Sequence, residues 1–362
     1  MAEEAEQEKA TKRILLLINC VMLAIGGSGG PLILRLYFLH GGHRVWLSSF
    51  LETAGFPIVL VPLIILYIRR KRTTTITATT KASIVSIKPP LIIAFAVIGV
   101  LTGLDNYLSA YGVARLPVST SALIIASQLA FTAVFAFLLV KQKFKAYTVN
   151  AVVLLTLGAG VLALHTSGDR PVGESKKQYV MGFVVTLFAA ALYGFVLPLV
   201  ELAYKKTEQF MTYSLVLEIQ FVMCTFATLL NIVGMITNHD FKVISREAKQ
   251  FGLGEANYYV VLVGIAILWQ AFFLGAIGVI YCASSLLSGI IIAVMLPVTE
   301  ALAVVLYKET FKAEKGVSLI LSVWGFAYYF YGEYKQTKNL KRNLTLETGE
   351  LPQAHTIIPK DQ

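Results

Sequence analysis

Four carboxylates stand inside long apolar runs of this chain: Glu52, Asp105, Glu218 and Glu300. An ionisable side chain at such a place costs several kcal/mol unless it faces protein or water, so each is a candidate functional group. A carboxylate there can take up and release a proton, which makes these four the candidate proton-coupling residues. The alternative for each is structural, as partner to a nearby hydroxyl, amide or Arg. Asp105 is followed directly by Asn106 and Tyr107, a polar trio in one run. Further polar or aromatic candidates in the runs are Asn19, Ser28, Ser127, Gln128, Tyr193, Trp269 and Gln270. Amides donate and accept hydrogen bonds in pairs, which suits the edge of a heterocyclic base. The rings of Tyr107, Tyr193 and Trp269 can stack on its face. For any one of these residues a packing or lipid-facing role is the competing assignment.

The bases are distributed differently. Arg35 and Arg115 lie at run ends, where long side chains reach the interface, and no Lys or Arg occupies the centre of a run. Phosphate-bearing ligands call for Arg or Lys. Acids without a central base fit a neutral or cationic ligand. The five histidines, His40, His43, His165, His239 and His355, fall mostly in loops or at run ends. There is no HExxH, His box or GxSxG, which argues against a membrane-embedded enzyme, and no metal or cofactor is expected.

The elements that hold these side chains follow from composition. The chain is 56% hydrophobic and 14% charged, against roughly 25% charged in soluble domains, and its mean hydropathy is +0.70. The apolar runs are near 20 residues and lack dyad alternation, which predicts membrane-spanning helices and not a barrel. Ten spans are expected: 14–37, 45–68, 91–112, 117–140, 147–165, 180–203, 210–236, 258–280, 283–307 and 317–334. At roughly 1.5 Å per residue, Glu52, Asp105 and Glu300 then sit about 6–8 Å to the outer side of their span centres. Glu218 sits a similar distance inward, and Glu201 falls at the inner end of its span. Cys20, Cys224 and Cys282 all lie in spans or at their ends, so no disulfide framework is implied. The net charge of +10 marks the cytosolic side better than it marks a nucleic-acid partner. With both termini in the cytosol, 19 of the 31 Lys and Arg fall on that side and 12 on the other, as the positive-inside rule requires. The cluster Arg69-Arg70-Lys71-Arg72 carries most of that bias.

The stretch 104–144 returns, about 166 residues later, as 274–311: Gly112 falls on Gly278, Ser119 on Ser285, and after a one-residue slip Lys141 on Lys308 and Phe144 on Phe311. Five spans per copy is odd, so the second copy must be inverted. The expected organisation is a cytosolic segment 1–13, a first five-helix repeat 14–165, an extracytosolic connector 166–179, a second repeat 180–334 and a polar, disordered cytosolic tail 335–362. At this offset Asp105-Asn106-Tyr107 meets Ala271-Phe272-Phe273, so the polar trio occurs in one copy only. Span 1 carries Gly26-Gly27-Ser28-Gly29-Gly30-Pro31 at its middle, and span 6 carries Tyr193-Gly194 and Pro198. Paired interruptions of this kind point to a midplane site. The other explanation is close helix packing through small residues.

The blocks GGSGGPLILRLYFLHGGHRVWLSSFLETAGFP, GLDNYLSAYGVARLPVSTSALIIASQLAFTA and MLPVTEALAVVLYKETF resemble the plant purine permease family, within the drug/metabolite transporter superfamily. The last block is closer to a superfamily-wide pattern. The resemblance runs over roughly 14–334 and implies an all-α integral membrane protein, ten transmembrane helices in two inverted five-helix repeats around a central cavity. It implies proton-coupled import of purine bases and related heterocycles, including cytokinins and some alkaloids, by alternating access, and a place in the plasma membrane. One departure is that the second repeat has Pro297 where the first has no proline near Ala130-Phe131. The alternative within the same fold is a nucleotide-sugar or phosphate-ester exchanger, against which the missing central Lys or Arg weighs.

Overall fold

Without water to bond the backbone, an apolar run must close its hydrogen bonds internally, and this chain does so by helices. The computed structural model describes residues 2–77, 87–113, 118–164, 176–207, 209–307 and 313–348, with most of their side chains. In order the helices are α1 (Ala2–Leu39), α2 (Val45–Ala54), a 3-10 turn (Phe56–Val59), α3 (Leu60–Thr77), α4 (Pro89–Val113), α5 (Val118–Val140) and α6 (Ala146–Leu164). There follow α7 (Lys176–Lys206), α8 (Tyr213–Thr237), a 3-10 turn (Asp240–Lys242), α9 (Ile244–Gln250), α10 (Glu255–Cys282), α11 (Ser285–Tyr307) and α12 (Ala313–Thr348). No strand occurs among the described residues.

Among the described residues, seven stretches, from Ala10–Leu39 to Ser285–Tyr307, are long and apolar enough to cross a membrane. Their outer faces are aliphatic: Ile14, Leu17, Ile93, Val260 and Val305 are each at least 60% exposed. Such a belt would aggregate in water but is solvated by lipid tails. The protein is multi-pass and membrane-embedded.

α1 lies along α10, α5 along α7, α6 along α12, and α4 packs on both α7 and α8. The α1–α10 seam explains the glycine run of span 1, and it corrects one expectation. α1 is not interrupted there but runs unbroken through Gly26 and Pro31. A Cβ at Gly26 would overlap the Phe272 backbone, and one at Gly275 would overlap the Leu23 backbone. The small residues let the two helices touch. α7 likewise continues through Pro198.

The interruption lies instead in span 2, which the sequence pattern presents as one run. Pro57 has no N–H to continue α2, and Phe56–Val59 tightens into a 3-10 turn before α3 begins. Gly55 makes the bend possible, since a Cβ there would strike the Ala266 carbonyl on α10.

The expected disordered tail is also corrected in part. α12 continues past 334 to Thr348, a stretch in which Lys335, Lys338, Lys341, Leu340, Leu344 and Leu346 are good helix formers. The Lys335 ammonium donates to the Tyr147 hydroxyl on α6 at 2.9 Å. Residues 349–362 lie outside the described residues, as does most of the connector 166–179.

α9 and the turn before it dock on α1 and α10 through a polar clasp. Glu247 is buried there, and one of its carboxylate oxygens accepts the hydroxyls of both Tyr37 and Tyr258. Arg44 lies 3.4 Å from the Asp240 carboxylate and 3.9 Å from the other Glu247 oxygen, and Asn238 donates to Asp240 at 2.8 Å. Leu47, Leu51, Phe251 and Ile265 pack around this clasp. Glu247→Leu would leave two buried hydroxyls without an acceptor, each costing about 1–3 kcal/mol. A thermal melt of the purified protein should therefore drop by several degrees for Glu247→Leu and much less for Glu247→Gln, which keeps an acceptor.

Candidate functional site

Polar residues on α8 recur at positions 220, 224, 228 and 231, spacing that puts them on one face of the helix. Gln220 donates to the Cys224 sulfur at 3.0 Å. The Thr228 hydroxyl donates to Thr53 Oγ1 at 2.9 Å, and the Asn231 amide donates to the Ser49 carbonyl at 3.0 Å. These bonds fix α2 against α8 and so fix Glu52, which stands in the last turn of α2 before the bend. Sequence reasoning missed this stripe, although its spacing within an apolar span was the available signal. Asn106 and Asp105 approach the same place from α4.

Glu52 is 6% exposed and Asp105 is 5% exposed, and the charge of Asp105 acts on Glu52. The Tyr193 hydroxyl, on α7, lies within electrostatic reach of both carboxylates and of the Cys224 thiol. Two negative charges held at one buried place repel, and a proton or a cationic ligand relieves the repulsion. Beyond Tyr193 the rings continue. It stacks on Phe272 with centroids 6.3 Å apart, and Trp269 meets the Phe272 ring edge-on at 5.2 Å. Phe272 is a second residue that sequence reasoning missed, since an aromatic in an apolar span carries no mark of its own.

The polar groups here are short of partners. Asp105 Oδ1, Asn106 Nδ2, Trp269 Nε1 and both side-chain atoms of Gln270 are buried and make no hydrogen bond among the described residues. A buried group left in that state costs about 1–3 kcal/mol. Gathered on α4 and α10 beside two carboxylates and three rings, they form a surface that a flat polar ligand can satisfy.

Other candidates are employed elsewhere. Asn19 donates to the Leu15 carbonyl at 2.7 Å and accepts from the Tyr213 hydroxyl at 3.1 Å, within the α1–α10 seam. Ser28 donates to the Met295 sulfur at 3.4 Å. Tyr107 stacks on Trp46 at 3.7 Å and 15°. Gln128 is half-buried on α5, and its backbone carbonyl accepts from the Thr132 hydroxyl, which leaves its side-chain amide outside that bond. Glu218 accepts the Ile87 N–H at 2.9 Å, ahead of the start of α4, where a negative charge suits the positive helix end. Glu201 does similar work for α11, accepting Ser285 N–H at 2.7 Å and Ser285 O–H at 2.6 Å while pairing with Lys205 at 2.8 Å. Glu300 lies on α11 with its side chain outside the described ones, as do the side chains of Arg69-Arg70-Lys71-Arg72.

Residues 14–339 match the family described as purine nucleobase transmembrane transport. The chain belongs to the purine nucleobase transporter family. Purine permease 3 of Arabidopsis thaliana is 56% identical over 347 residues, spanning 96% of this chain and 98% of its own. Purine permease 2 of the same plant is 53% identical over 352 residues, and purine permease 21 is 36% identical over 342. Members of this family are transporters and not enzymes, and their cargo is a small purine heterocycle. A solved crystal structure with 12% sequence identity superposes at a TM-score of 0.53, covering 87% of this chain and 98% of its own, which shows a shared fold.

Proposed function

We propose that this protein imports purine bases and purine-like heterocycles by proton-coupled alternating access. The observation that carries the reading is the group of unpartnered buried atoms on Asp105, Asn106, Trp269 and Gln270, beside Glu52, Tyr193 and Phe272. Among the described residues no Lys or Arg is buried, which favours adenine-like, cytokinin-like or alkaloid-like cargo over anything carrying phosphate.

In this mechanism the outward-open form takes a proton on Asp105 or Glu52 and then binds substrate. Neutralising the carboxylate pair lets the two halves rock, and release to the cytosol follows. Glu218 and Glu300 are the remaining proton-coupling candidates and Gln128 the remaining binding candidate, while Asn19, Ser28 and Tyr107 stand outside this binding set because neighbouring residues engage them. Counting α2 and α3 as one crossing and α9 as none gives ten crossings, which fit two inverted five-helix repeats around a central cavity. Both termini then lie in the cytosol, and the plasma membrane is the proposed location.

The test is uptake of labelled adenine by yeast lacking its own purine transporters. Uptake is expected to be several-fold faster at pH 5 than at pH 7.5 and to collapse with a protonophore. Uptake indifferent to both would remove the proton from the mechanism. Absence of purine and cytokinin uptake, with the protein at the cell surface, would overturn the substrate class.

A further inference from the structure

We propose that Gln270 is the specificity-determining residue of this site, pairing its carboxamide with the exocyclic N–H and the adjacent ring nitrogen of a 6-aminopurine. The inference rests on the purine reading and deepens it.

Gln270 lies near the middle of α10 and is 3% exposed. Neither its carbonyl oxygen nor its amide nitrogen has a partner among the described residues. Its neighbour Trp269 also leaves an indole N–H unpaired, but a single donor cannot read two adjacent groups. A primary amide offers a donor and an acceptor in one plane, a short distance apart. That is the pattern with which Asn and Gln read adenine through its N6 amino group and N7. Of the two amides at the site, Asn106 and Gln270, only Gln270 has both atoms buried without a partner among the described residues.

The position of the side chain is set by the backbone around it. The bend between α2 and α3 brings Gly55 directly onto α10, where a Cβ would come 2.9 Å from the Gln270 Cβ. The root of the side chain is therefore clamped, and its amide end is the part left to turn. The bend also stands three residues after Glu52, so the amide and the carboxylate pair belong to the same neighbourhood. Within the bend Gly55 and Val59 are buried while Pro57 and Ile58 are exposed, and Gly55 lies against the helix that carries the amide. At the 166-residue offset the residue facing Gln270 in the first copy is Leu104. The amide therefore occurs in one copy, like the Asp105-Asn106-Tyr107 trio, as expected for groups that serve an asymmetric ligand.

This pairing sets a substrate rule. An N6-monosubstituted adenine keeps one N–H, which faces N7 when its substituent turns toward N1, so its edge stays readable. An N6,N6-dialkyl adenine has no such donor, and 7-deazaadenine has no N7 acceptor. Both should be rejected, while bulk at N6 alone is not the criterion.

The experiment measures competition against labelled adenine by N6-methyladenine, N6,N6-dimethyladenine and 7-deazaadenine, in cells expressing the full chain. Wild type is expected to bind the dimethyl and deaza analogues at least about tenfold more weakly than the monomethyl one. Gln270→Met, of similar length and shape, should bring all three within about twofold of one another, with adenine itself weakened. Gln270→Leu serves as the second variant, and surface labelling normalises both. Wild-type protein that fails to separate the analogues would overturn the pairing without any variant. A Gln270→Met protein that keeps the wild-type ratios would also overturn it, because the discrimination would then come from other groups. Failure of wild type to recognise any of these bases would instead strike the purine reading itself.

Discussion

Asp105→Asn is expected to abolish concentrative uptake while leaving substrate exchange in place. The reasoning starts from energy balance. One pH unit across a membrane is worth about 1.4 kcal/mol per proton, enough for about tenfold accumulation of a cargo moved with one proton. Only a group that is protonated on one side and deprotonated on the other can transmit that energy. Asn keeps the size of Asp and stays neutral throughout, so the variant would resemble the protonated transporter permanently. It can still rock with substrate bound, which counterflow measures, but its internal substrate level should settle at the external one at pH 5 and at pH 7.5 alike. Glu52 stands within reach of the same charge, so Glu52→Gln should weaken coupling too. Their combined effect should be smaller than the sum of the single effects, as for two groups acting as a unit. A merely structural role for Asp105 would lower exchange and accumulation together. If neither substitution altered the dependence on pH, the proton would have to travel through another residue.

Much of this is legible in the sequence. Apolar runs of about 20 residues could only be helices, and acids placed inside them could only be structural partners or functional groups. Asp105 and Glu52 were therefore visible as candidates from type and place alone, and so was Gln270. What could not be read was which candidates meet. Asn19 and Gln270 are both amides in mid-span, yet Asn19 is consumed by Leu15 and Tyr213 while Gln270 is left without partners. That difference depends on which way each helix face is turned, and periodicity in a run that is apolar all round gives little indication of it. The glycines were ambiguous for a similar reason. The Gly26–Pro31 run reads as a helix breaker, whereas Gly55-Phe56-Pro57 lies inside a span, 45–68, that reads as continuous. Only the second breaks a helix, because in the first the neighbouring α10 backbone occupies the space that side chains would need. Thr228 and Asn231 were overlooked because neither residue is charged, although together they hold the helix that carries Glu52.

The closeness of that seam yields the second large effect, at Gly278. A methyl group there would overlap the Asn19 carboxamide, which cannot move aside without releasing both the Leu15 carbonyl and the Tyr213 hydroxyl. Overpacking of this kind costs about 1–3 kcal/mol, and stranding a buried amide adds about 1–3 kcal/mol. Gly278→Ala should therefore lose most of its surface expression and melt many degrees lower. Gly27→Ala is the contrasting case, since a Cβ there would meet Met295 at 3.5 Å, an ordinary contact, and its stability should stay within about 1 kcal/mol of wild type. Sequence alone ranks the two glycines together, whereas the geometry separates them. Shortening the obstructing side chain makes the test specific. Asn19→Ala combined with Gly278→Ala should recover part of the loss, because the methyl then occupies the space that the amide vacated. Wild-type stability in the single Gly278→Ala variant would mean that α1 and α10 approach less closely than this, and the account given for the unbroken course of α1 would fail with it.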